Sequence, residues 1–336
     1  MNGTGLRWGV LGPGKIARSV APALATSGRL VAIGSRDEAR ARAFADRYGA
    51  PKAYGSYEAL LADVEVEAVY VAVPNSLHAE WSIKAARAGK HVLCEKPLAV
   101  SVAEAQDMLV AAQEAGIVLM EGFMYRSHPQ MPALKAVVEA GQIGELRLIV
   151  SCFSFSVDRS GDVRLSAELA GGSLWDVGCY CVNLARFLAG GEPQTVSAAA
   201  NFEGGVDTLF AGILQFAGGV VSHFDSGLRV PLRAAAAVVG SEGRVVVPAP
   251  WKPDFHRASF TIETAAGQRE VVIEEGGNWY ERQADAFAAA VRGEAPPPIS
   301  LADSLENTRT LVALDRAARE RRVVALSALE APATGA

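Results

Sequence analysis

The order of apolar and polar positions changes character about a third of the way along the chain. In the first 120 or so residues, short apolar runs alternate with segments whose apolar positions follow a helical spacing. Continuous apolar strands that alternate with helices indicate a parallel sheet covered on both faces. The predicted strands are 6–11, 30–33, 68–73, 91–94 and 118–120, and the predicted helices are 15–25, 37–48, 77–88 and 102–115.

Beyond residue 123 the apolar runs follow one another with glycine-containing turns between them, which predicts a largely antiparallel sheet. A helix at 131–140 precedes predicted strands at 146–155, 195–202, 210–216, 219–226, 235–239 and 259–264. Two last helices, 280–291 and 301–320, are expected to pack back on the first domain, and the tail from Ala331 is expected to be disordered. The chain is therefore predicted to be α/β in residues 1–122 and α+β in residues 123–330.

Composition narrows the class of protein. The 336 residues carry a net charge of −5 and no basic tract, which argues against nucleic-acid or membrane partners. Neither a signal peptide nor a membrane span is apparent, and four cysteines are too few for a disulfide framework, so we expect a cytoplasmic protein. The five histidines are too dispersed for a metal site.

A glycine-rich turn joins the first strand to the first helix. It reads Gly12-Pro13-Gly14-Lys15-Ile16-Ala17, in which Gly12 permits a tight turn and Gly14 lets the backbone approach a pyrophosphate. The amino end of the following helix, which begins with Lys15 and Ile16, attracts phosphate charge. The pattern predicts dinucleotide binding, and the alternative is an ordinary strand-turn-helix corner.

The end of the second strand bears on the choice between NAD and NADP. A carboxylate there binds the ribose 2′-hydroxyl of NAD, whereas an arginine pairs with the 2′-phosphate of NADP. Ser35 and Arg36 occupy this place and favour NADP. Asp37, one residue further on, keeps NAD open.

Two more loops leave the carboxyl ends of predicted strands, where open α/β sheets bind their ligands. One contains Pro74, Asn75 and His78, and the other contains Glu95 and Lys96. We interpret all five as cofactor-binding candidates. The alternatives are that Asn75 or its neighbour caps the next helix, with His78 one turn in and facing solvent, and that Lys96 is a charge at a strand end.

A later helix start combines an acid and a phenol. Asp176 and Tyr180 are four residues apart, so they share one helix face outside the apolar stripe, and Ser173 is a plausible cap. This pair suits hydrogen bonding to a polyhydroxyl substrate. Taken alone, it is better explained as a helix-start acid and a half-buried tyrosine.

Together these motifs resemble the glucose–fructose oxidoreductase and inositol dehydrogenase (Gfo/Idh/MocA) family. The resemblance rests on the glycine turn, on Glu95-Lys96-Pro97 and on the run from Gly171 to Asn183, and it covers residues 6–320. It implies a Rossmann domain, a second domain whose open sheet makes a homodimer or homotetramer, Lys96 at the hydride-transfer site, Asp176 binding substrate and Tyr180 as acid/base.

The details resemble one branch of this family. A tyrosine at position 180, where many relatives have histidine, and the segment 121–129 look most like the NADP-dependent xylose and dihydrodiol dehydrogenases. Ala170 departs from a three-glycine run of many relatives, and we expect only a local loop change there.

The predicted function is hydride transfer between the nicotinamide of NADP and a carbinol or carbonyl carbon of a sugar or cyclic polyol. A phenol with a pKa near ~10 is a poor base alone, and a lysine beside it favours the phenolate, so Lys96 and Tyr180 are expected to serve one substrate oxygen. One alternative is a 3-ketoreductase of a nucleotide-linked deoxysugar. Another, of a different class, is a catalytically silent dinucleotide-binding regulator.

Overall fold

The computed structural model describes residues 5–158 and 161–329. They form two compact units, each of which contains two stretches of the chain. The first unit includes residues up to 127 together with 277–305, and the second includes 128–276 and the residues from 306 onward. The tail that was expected to be disordered lies outside the described residues.

The described part of the first unit is built on one parallel sheet of six strands, in the order β3-β2-β1-β4-β5-β6. This confirms the predicted parallel sheet. The order reverses direction between β1 and β4, which is where such sheets bind their ligands. The strands are β1 (Arg7–Leu11), β2 (Arg29–Gly34), β3 (Lys52–Tyr54), β4 (Ala68–Val71), β5 (His91–Cys94) and β6 (Leu119–Glu121).

Helices cover this sheet. They are α1 (Lys15–Ser27), α2 (Glu38–Tyr48), α3 (Tyr57–Leu61), α4 (His78–Arg87) and α5 (Val102–Ala115), with α8 (Trp279–Val291) added from the second stretch. The central strands are buried on both faces, as continuous apolar runs require. The sequence pattern missed β3 and α3, because three half-buried residues and a five-residue helix are too short to show a period.

The last helices follow the prediction only in part. Helix α8 packs on α1 and β1, with the rings of Trp8 and Phe287 5.2 Å apart. Helix α9 (Leu301–Glu320) is divided between the units: its residues up to Leu305 belong to the first unit, and the rest belong to the second. The remainder has its own partner in the second unit, where Leu314 packs against β9 at Gly212.

The described part of the second unit contains a nine-stranded sheet in the order β14-β13-β12-β11-β7-β10-β9-β8-β15. All neighbours are antiparallel except β7 and β10, which confirms the predicted, mostly antiparallel sheet. Its strands are β7 (Leu146–Ser154), β8 (Pro193–Glu203), β9 (Val206–Phe216), β10 (Val221–Gly227), β11 (Arg233–Gly240), β12 (Gly243–Val247), β13 (Arg257–Thr264), β14 (Gly267–Glu274) and β15 (Val324–Ala325).

Helix α7 (Cys179–Ala189) packs against one face of this sheet, and α6 (Gln130–Glu139) packs beside α7. Along β9, Phe210 and Leu214 are buried while Ala211 and Ile213 are exposed, so the opposite face is open in this chain. Among the described residues, no helix is long and apolar enough to cross a membrane.

Candidate functional site

The turn between β1 and α1 has the backbone that its glycines predict. Gly12 has a φ of +92°, and a Cβ atom there would stand 2.9 Å from the carbonyl oxygen of Ala72 on the neighbouring strand end. Gly14 is the residue before α1, and within the described ranges no side chain caps that helix. The amino end of α1, with Lys15 exposed, therefore fits the pyrophosphate of a dinucleotide.

The loop after β2 separates the roles of its polar residues. Ser35 is buried, and its Oγ accepts a hydrogen bond of 3.2 Å from the Asp37 amide, which leaves its hydroxyl proton to donate. Asp37 caps α2, because its Oδ1 accepts from the Arg40 amide at 3.2 Å. Arg36 is exposed. The cap engages one oxygen of the carboxylate that kept NAD open.

A second arginine at this corner was missed from the sequence. Burial raises the pKa of Tyr57, and the charges of both Arg36 and Arg40 oppose that rise, so both guanidinium groups lie near this tyrosine. Arg40 stands in the first turn of α2 and belongs to no motif. The sequence feature that could have indicated it is its spacing of four residues from Arg36.

The loop after β4 differs from its expected form. Asn75 lies in a short 3₁₀ turn, Asn75–Leu77, and in the described structure neither that turn nor α4 has a side-chain cap, so the capping alternative for Asn75 and Ser76 is not met. Pro74 precedes the turn. His78 is 1% exposed, which contradicts the expectation that it faces solvent.

His78 instead links two loops at the carboxyl edge of the sheet. Its Nδ1 is 2.7 Å from the Pro97 carbonyl oxygen and its Nε2 is 3.0 Å from the Val73 carbonyl oxygen. Burial lowers the pKa of His78 to about 4, with a smaller contribution from the charge of Lys96. A neutral, enclosed imidazole is a poor substitute for the proton acceptor, and it supports the backbone on which Lys96 stands.

The loop after β5 turns its two charged residues in different ways. Glu95 is buried and accepts a hydrogen bond from the Tyr70 hydroxyl, so its carboxylate is directed into the unit. Lys96 is half-buried, its amide donates to Glu95 Oε2 at 3.3 Å, and its peptide bond to Pro97 is cis. The lysine thus lies at the edge where the ligand of such a sheet binds.

In the second unit the acid and the phenol lie on one helical segment. Its first part, Leu174–Gly178, is a π-helical turn that contains Asp176, and Tyr180 follows in α7. Single π turns inside helices are frequent at functional sites. The predicted apolar stripe of this segment is buried as expected.

Arg164 is the residue at this site that sequence reasoning missed. Its Nε donates to Asp176 Oδ2 at 2.6 Å and its Nη1 to Asp162 Oδ1 at 3.2 Å, while its guanidinium lies 5.6 Å from the ring centre of Phe155. The two carboxylates raise the pKa of Arg164 against the effect of burial. This arginine orients the Asp176 carboxylate.

Tyr180 is more enclosed than the expected half-buried tyrosine. It is 6% exposed, and its ring packs edge-on against Phe153 at 5.4 Å and tilted against Trp251 at 5.8 Å. The indole of Trp251 donates to the Cys152 carbonyl oxygen at 3.1 Å. A phenol held by rigid rings keeps a defined orientation, which acid/base work requires.

A glycine turn at the first strand of a sheet with this order, and an acid–phenol pair on a separate α+β unit, define a dinucleotide-dependent oxidoreductase. The sequence models agree over most of the chain. Residues 6–123 match the Gfo/Idh/MocA oxidoreductase family with an NAD-binding Rossmann fold, and residues 131–246 match the C-terminal domain of the same family. The chain belongs to this family, and the predicted resemblance is confirmed.

Relatives of known name are similar over most of their length. The chain is 37% identical to D-xylose 1-dehydrogenase (NADP(+)) 2 of Haloferax volcanii over 96% of this chain and 100% of that protein. It is 37% identical to the trans-1,2-dihydrobenzene-1,2-diol dehydrogenase of Mus musculus over 74% and 76%. A 3-ketoreductase structure from Actinomadura kijaniata, with NADP and TDP-benzene, superposes with a TM-score of 0.88 at 32% identity over 94% and 98%.

Proposed function

We propose that this oxidoreductase is an NADP-dependent dehydrogenase of a sugar or related cyclic polyol. The observation that carries the proposal is the pair Asp176 and Tyr180 on one helical segment. Arg164 orients the acid, and aromatic rings packed around Tyr180 orient the phenol. Residues 1–122 bind the cofactor and residues 123–330 bind the substrate. The full-length similarity to a D-xylose dehydrogenase supports a sugar substrate.

The preference for NADP rests on the loop after β2. Arg36 pairs with the 2′-phosphate and Ser35 donates to it, while Asp37 is engaged as the cap of α2. Arg40 adds a second positive charge at the same corner. Gly12, Gly14, Lys15 and Ile16 hold the pyrophosphate at the start of α1.

The loops after β4 and β5 supply the remaining cofactor contacts. Pro74, Asn75 and Glu95 shape the edge of the sheet, and His78 supports it from inside through its contacts with the Val73 and Pro97 carbonyl oxygens. Lys96 stands at this edge as the cationic group of the reaction.

NADP, when bound, would supply the hydride acceptor for oxidation of the carbinol carbon. Tyr180 takes the proton of the substrate hydroxyl, and the ammonium of Lys96 stabilises the negative charge that develops on the oxygen. Asp176 accepts a hydrogen bond from a neighbouring hydroxyl. Reduction runs the same steps backward, with Tyr180 donating the proton.

The proposal also includes the oligomeric state and the cellular compartment. The exposed sheet face carries a row of paired side chains that includes Ala237, Val150, His223 and Ile213, and such a largely uncharged surface suits a homodimer or homotetramer contact. All four cysteines lie in the described ranges as free thiols, which suits the reducing cytoplasm.

The experiment is an activity panel of aldoses, cyclic polyols and dihydrodiols with NADP and NAD, followed by nicotinamide absorbance. We expect turnover of a sugar or polyol with a preference for NADP. Tyr180→Phe serves as the matched control, since it keeps the ring in its aromatic surroundings and removes only the proton-transfer group. Binding of NADPH with no turnover of any substrate by the wild type would instead favour the silent regulator.

A nucleotide-linked deoxysugar is the second candidate substrate, because the superposed 3-ketoreductase structure contains NADP and TDP-benzene. Phe155 and Arg164 form an aromatic–cation pair beside Asp176 that a nucleotide could contact. Competition decides between the two: a free thymidine diphosphate should inhibit a nucleotide-sugar reductase strongly and a simple sugar dehydrogenase weakly.

A further inference from the structure

The segment that carries Asp176 and Tyr180 is not capped by its own sequence. Ser173 stands at the cap position but has helical backbone angles of φ −71° and ψ −33°, and its side chain makes no capping bond in the described structure, which corrects the expectation that it is the cap. Its hydroxyl donates instead to Asp207 Oδ2 at 2.6 Å. The amide of Leu174 donates to the same oxygen at 2.8 Å.

Asp207 reaches this helix start from the sheet. It is the second residue of β9 and is 3% exposed. Its surroundings are built around the carboxylate: a Cβ atom at Gly172, which has a φ of +116°, would lie 2.2 Å from Asp207 Oδ1. Ser226 on β10 approaches the Ser173 hydroxyl at 3.0 Å.

A buried carboxylate is costly to the fold unless donors surround it, so its presence here calls for an explanation. Burial raises the pKa of Asp207 to about 6, and the bonds from Ser173 and Leu174 oppose that rise. The charged groups that face it from α9 are Asp315, which adds to the rise, and Arg319, which is ion-paired with Asp315. At neutral pH the carboxylate is ionised against the positive end of the helical segment.

We propose that Asp207 is a positioning residue that anchors the start of the 173–180 segment and thereby sets the orientation of Asp176 and Tyr180. The proposal rests on the proposed function, in which these two groups contact the substrate. Asp176 lies within one turn of the anchored residues, and Tyr180 lies about one turn further on. A rotation of the unanchored turn would therefore displace both, and misplacements of about 1 Å can cost on the order of 100-fold in rate.

The experiment compares Asp207→Asn and Asp207→Ala with the wild type. Glu263→Gln is the matched control, because it neutralises an acid of β13 in the same sheet that pairs with Arg244. Two measurements are made on the full chain: amide hydrogen exchange of peptides that cover residues 172–181, and kcat and KM for the sugar per NADPH-binding site. The first readout does not depend on turnover.

We expect faster exchange in 172–181 for both Asp207 variants, with unchanged exchange in peptides from the first unit. In Asp207→Ala, kcat per NADPH site should fall by about tenfold or more and KM should rise, while the Kd of NADPH stays within about twofold. Asp207→Asn keeps an oxygen acceptor for the Leu174 amide and should recover part of the loss. Glu263→Gln should match the wild type in every measurement.

Each other outcome overturns the proposal. Unchanged exchange in 172–181 means that Asp207 does not anchor the segment, and faster exchange with wild-type kcat and KM per site means that the anchor is only structural. If Asp207→Ala does not fold, Asp207→Asn gives the same test. Failure of the proposed function is recognised separately, because it appears as absent turnover in the wild type or as full turnover in Tyr180→Phe.

Discussion

The two groups of candidate residues, one in each unit, are held in place in different ways. At the edge of the six-stranded sheet, the functional groups follow directly from the ends of parallel strands, and the backbone of each loop sets their positions. In the segment that leads into α7, Arg164 binds Asp176, and Asp207 binds Ser173 and Leu174 at the beginning of the same segment. The group at the sheet edge depends on local backbone geometry, and the group at the start of α7 depends on contacts with a few charged side chains.

This difference predicts where substitutions act. Apart from Lys96, changes at the sheet edge should alter cofactor affinity and selectivity, because the groups there are proposed to contact the dinucleotide. Changes at the α7 segment should alter turnover and substrate KM with the cofactor affinity intact. Substitutions in each group of residues test this division.

The largest effect is expected for the reacting groups. Tyr180→Phe should lower kcat by roughly 10²–10⁴-fold, the usual contribution of general acid/base catalysis, and leave the Kd of NADPH unchanged. Lys96→Ala should lower kcat at least as far. The kcat of the double variant should be little lower than that of either single variant, because the two residues act as a unit. Steady-state kinetics and NADPH titration measure these quantities. Near-normal turnover in Tyr180→Phe would assign the proton transfer to another group.

The next effect concerns cofactor selectivity. A charge-assisted contact with the 2′-phosphate is worth about 1.5–3 kcal/mol, so Arg36→Ala should weaken NADP binding by roughly 10- to 100-fold and leave NAD nearly unchanged. Arg40→Ala should act in the same direction. Arg42→Ala, on an exposed position of α2, is the control and should change neither Kd. Equal loss of both cofactors in Arg36→Ala would show that this arginine only supports the loop.

A smaller effect is expected at the anchor of Asp176. Arg164→Ala removes a 2.6 Å contact with Asp176. Because the Arg164 side chain is 28% exposed, solvent screening limits the loss. We expect KM for the sugar to rise by about tenfold, with the Kd of NADPH unchanged. Arg147→Ala breaks an exposed pair with Glu145 in the same unit and should have no effect. An unchanged KM in Arg164→Ala would mean that Asp176 needs no partner.

A pH effect on stability is expected from His78. Its pKa is about 4 when folded and 6.5 when unfolded, so between these values the unfolded chain binds a proton that the folded chain does not. The free energy of unfolding should therefore fall by about 3 kcal/mol as the pH drops from about 6.5 to 4.

Asp207 contributes with the opposite sign in this pH range, because its pKa is raised when it is folded. The contribution of His78 is isolated by comparing urea unfolding of the wild type and His78→Gln at several pH values. Because His78→Gln lacks the titrating ring, its free energy of unfolding should lack the contribution of His78 to the pH dependence. Parallel curves for the two proteins would contradict the buried, neutral state of His78.

The smallest effect is expected at Ala170. This residue has a φ of +53°, a left-handed conformation that glycine adopts without steric cost, which explains why a glycine suits this position. Ala170→Gly should raise the free energy of unfolding by up to about 1 kcal/mol. Ala133→Gly inside α6 should lower it by a similar amount and serves as the opposite control. A clear loss of stability in Ala170→Gly would contradict the assigned backbone.

Local periodicity in the sequence was enough for most long elements of both units, but it missed β12 (Gly243–Val247) and the eight-residue β14 (Gly267–Glu274). The strand His91–Cys94 and the helices Val102–Ala115 and Leu301–Glu320 have the predicted bounds, because each carries a complete apolar pattern. The turn at Gly12 and the position of Lys96 after β5 were also predictable, since they depend only on their own strand ends. Short elements such as β3 and β15 were missed because they show no period.

The remaining features were decided by contacts between distant residues. His78 was expected to face solvent and is buried, because the carbonyl oxygens of Val73 and Pro97 enclose it. The two anchors of the α7 segment lie 12 and 34 positions away from their partners, in a loop and in a strand with no motif. Local sequence pattern was enough to predict most of the longer elements and the residue types at their ends. It could not predict which carboxylates are buried and paired, because burial and pairing depend on neighbours that are distant in sequence.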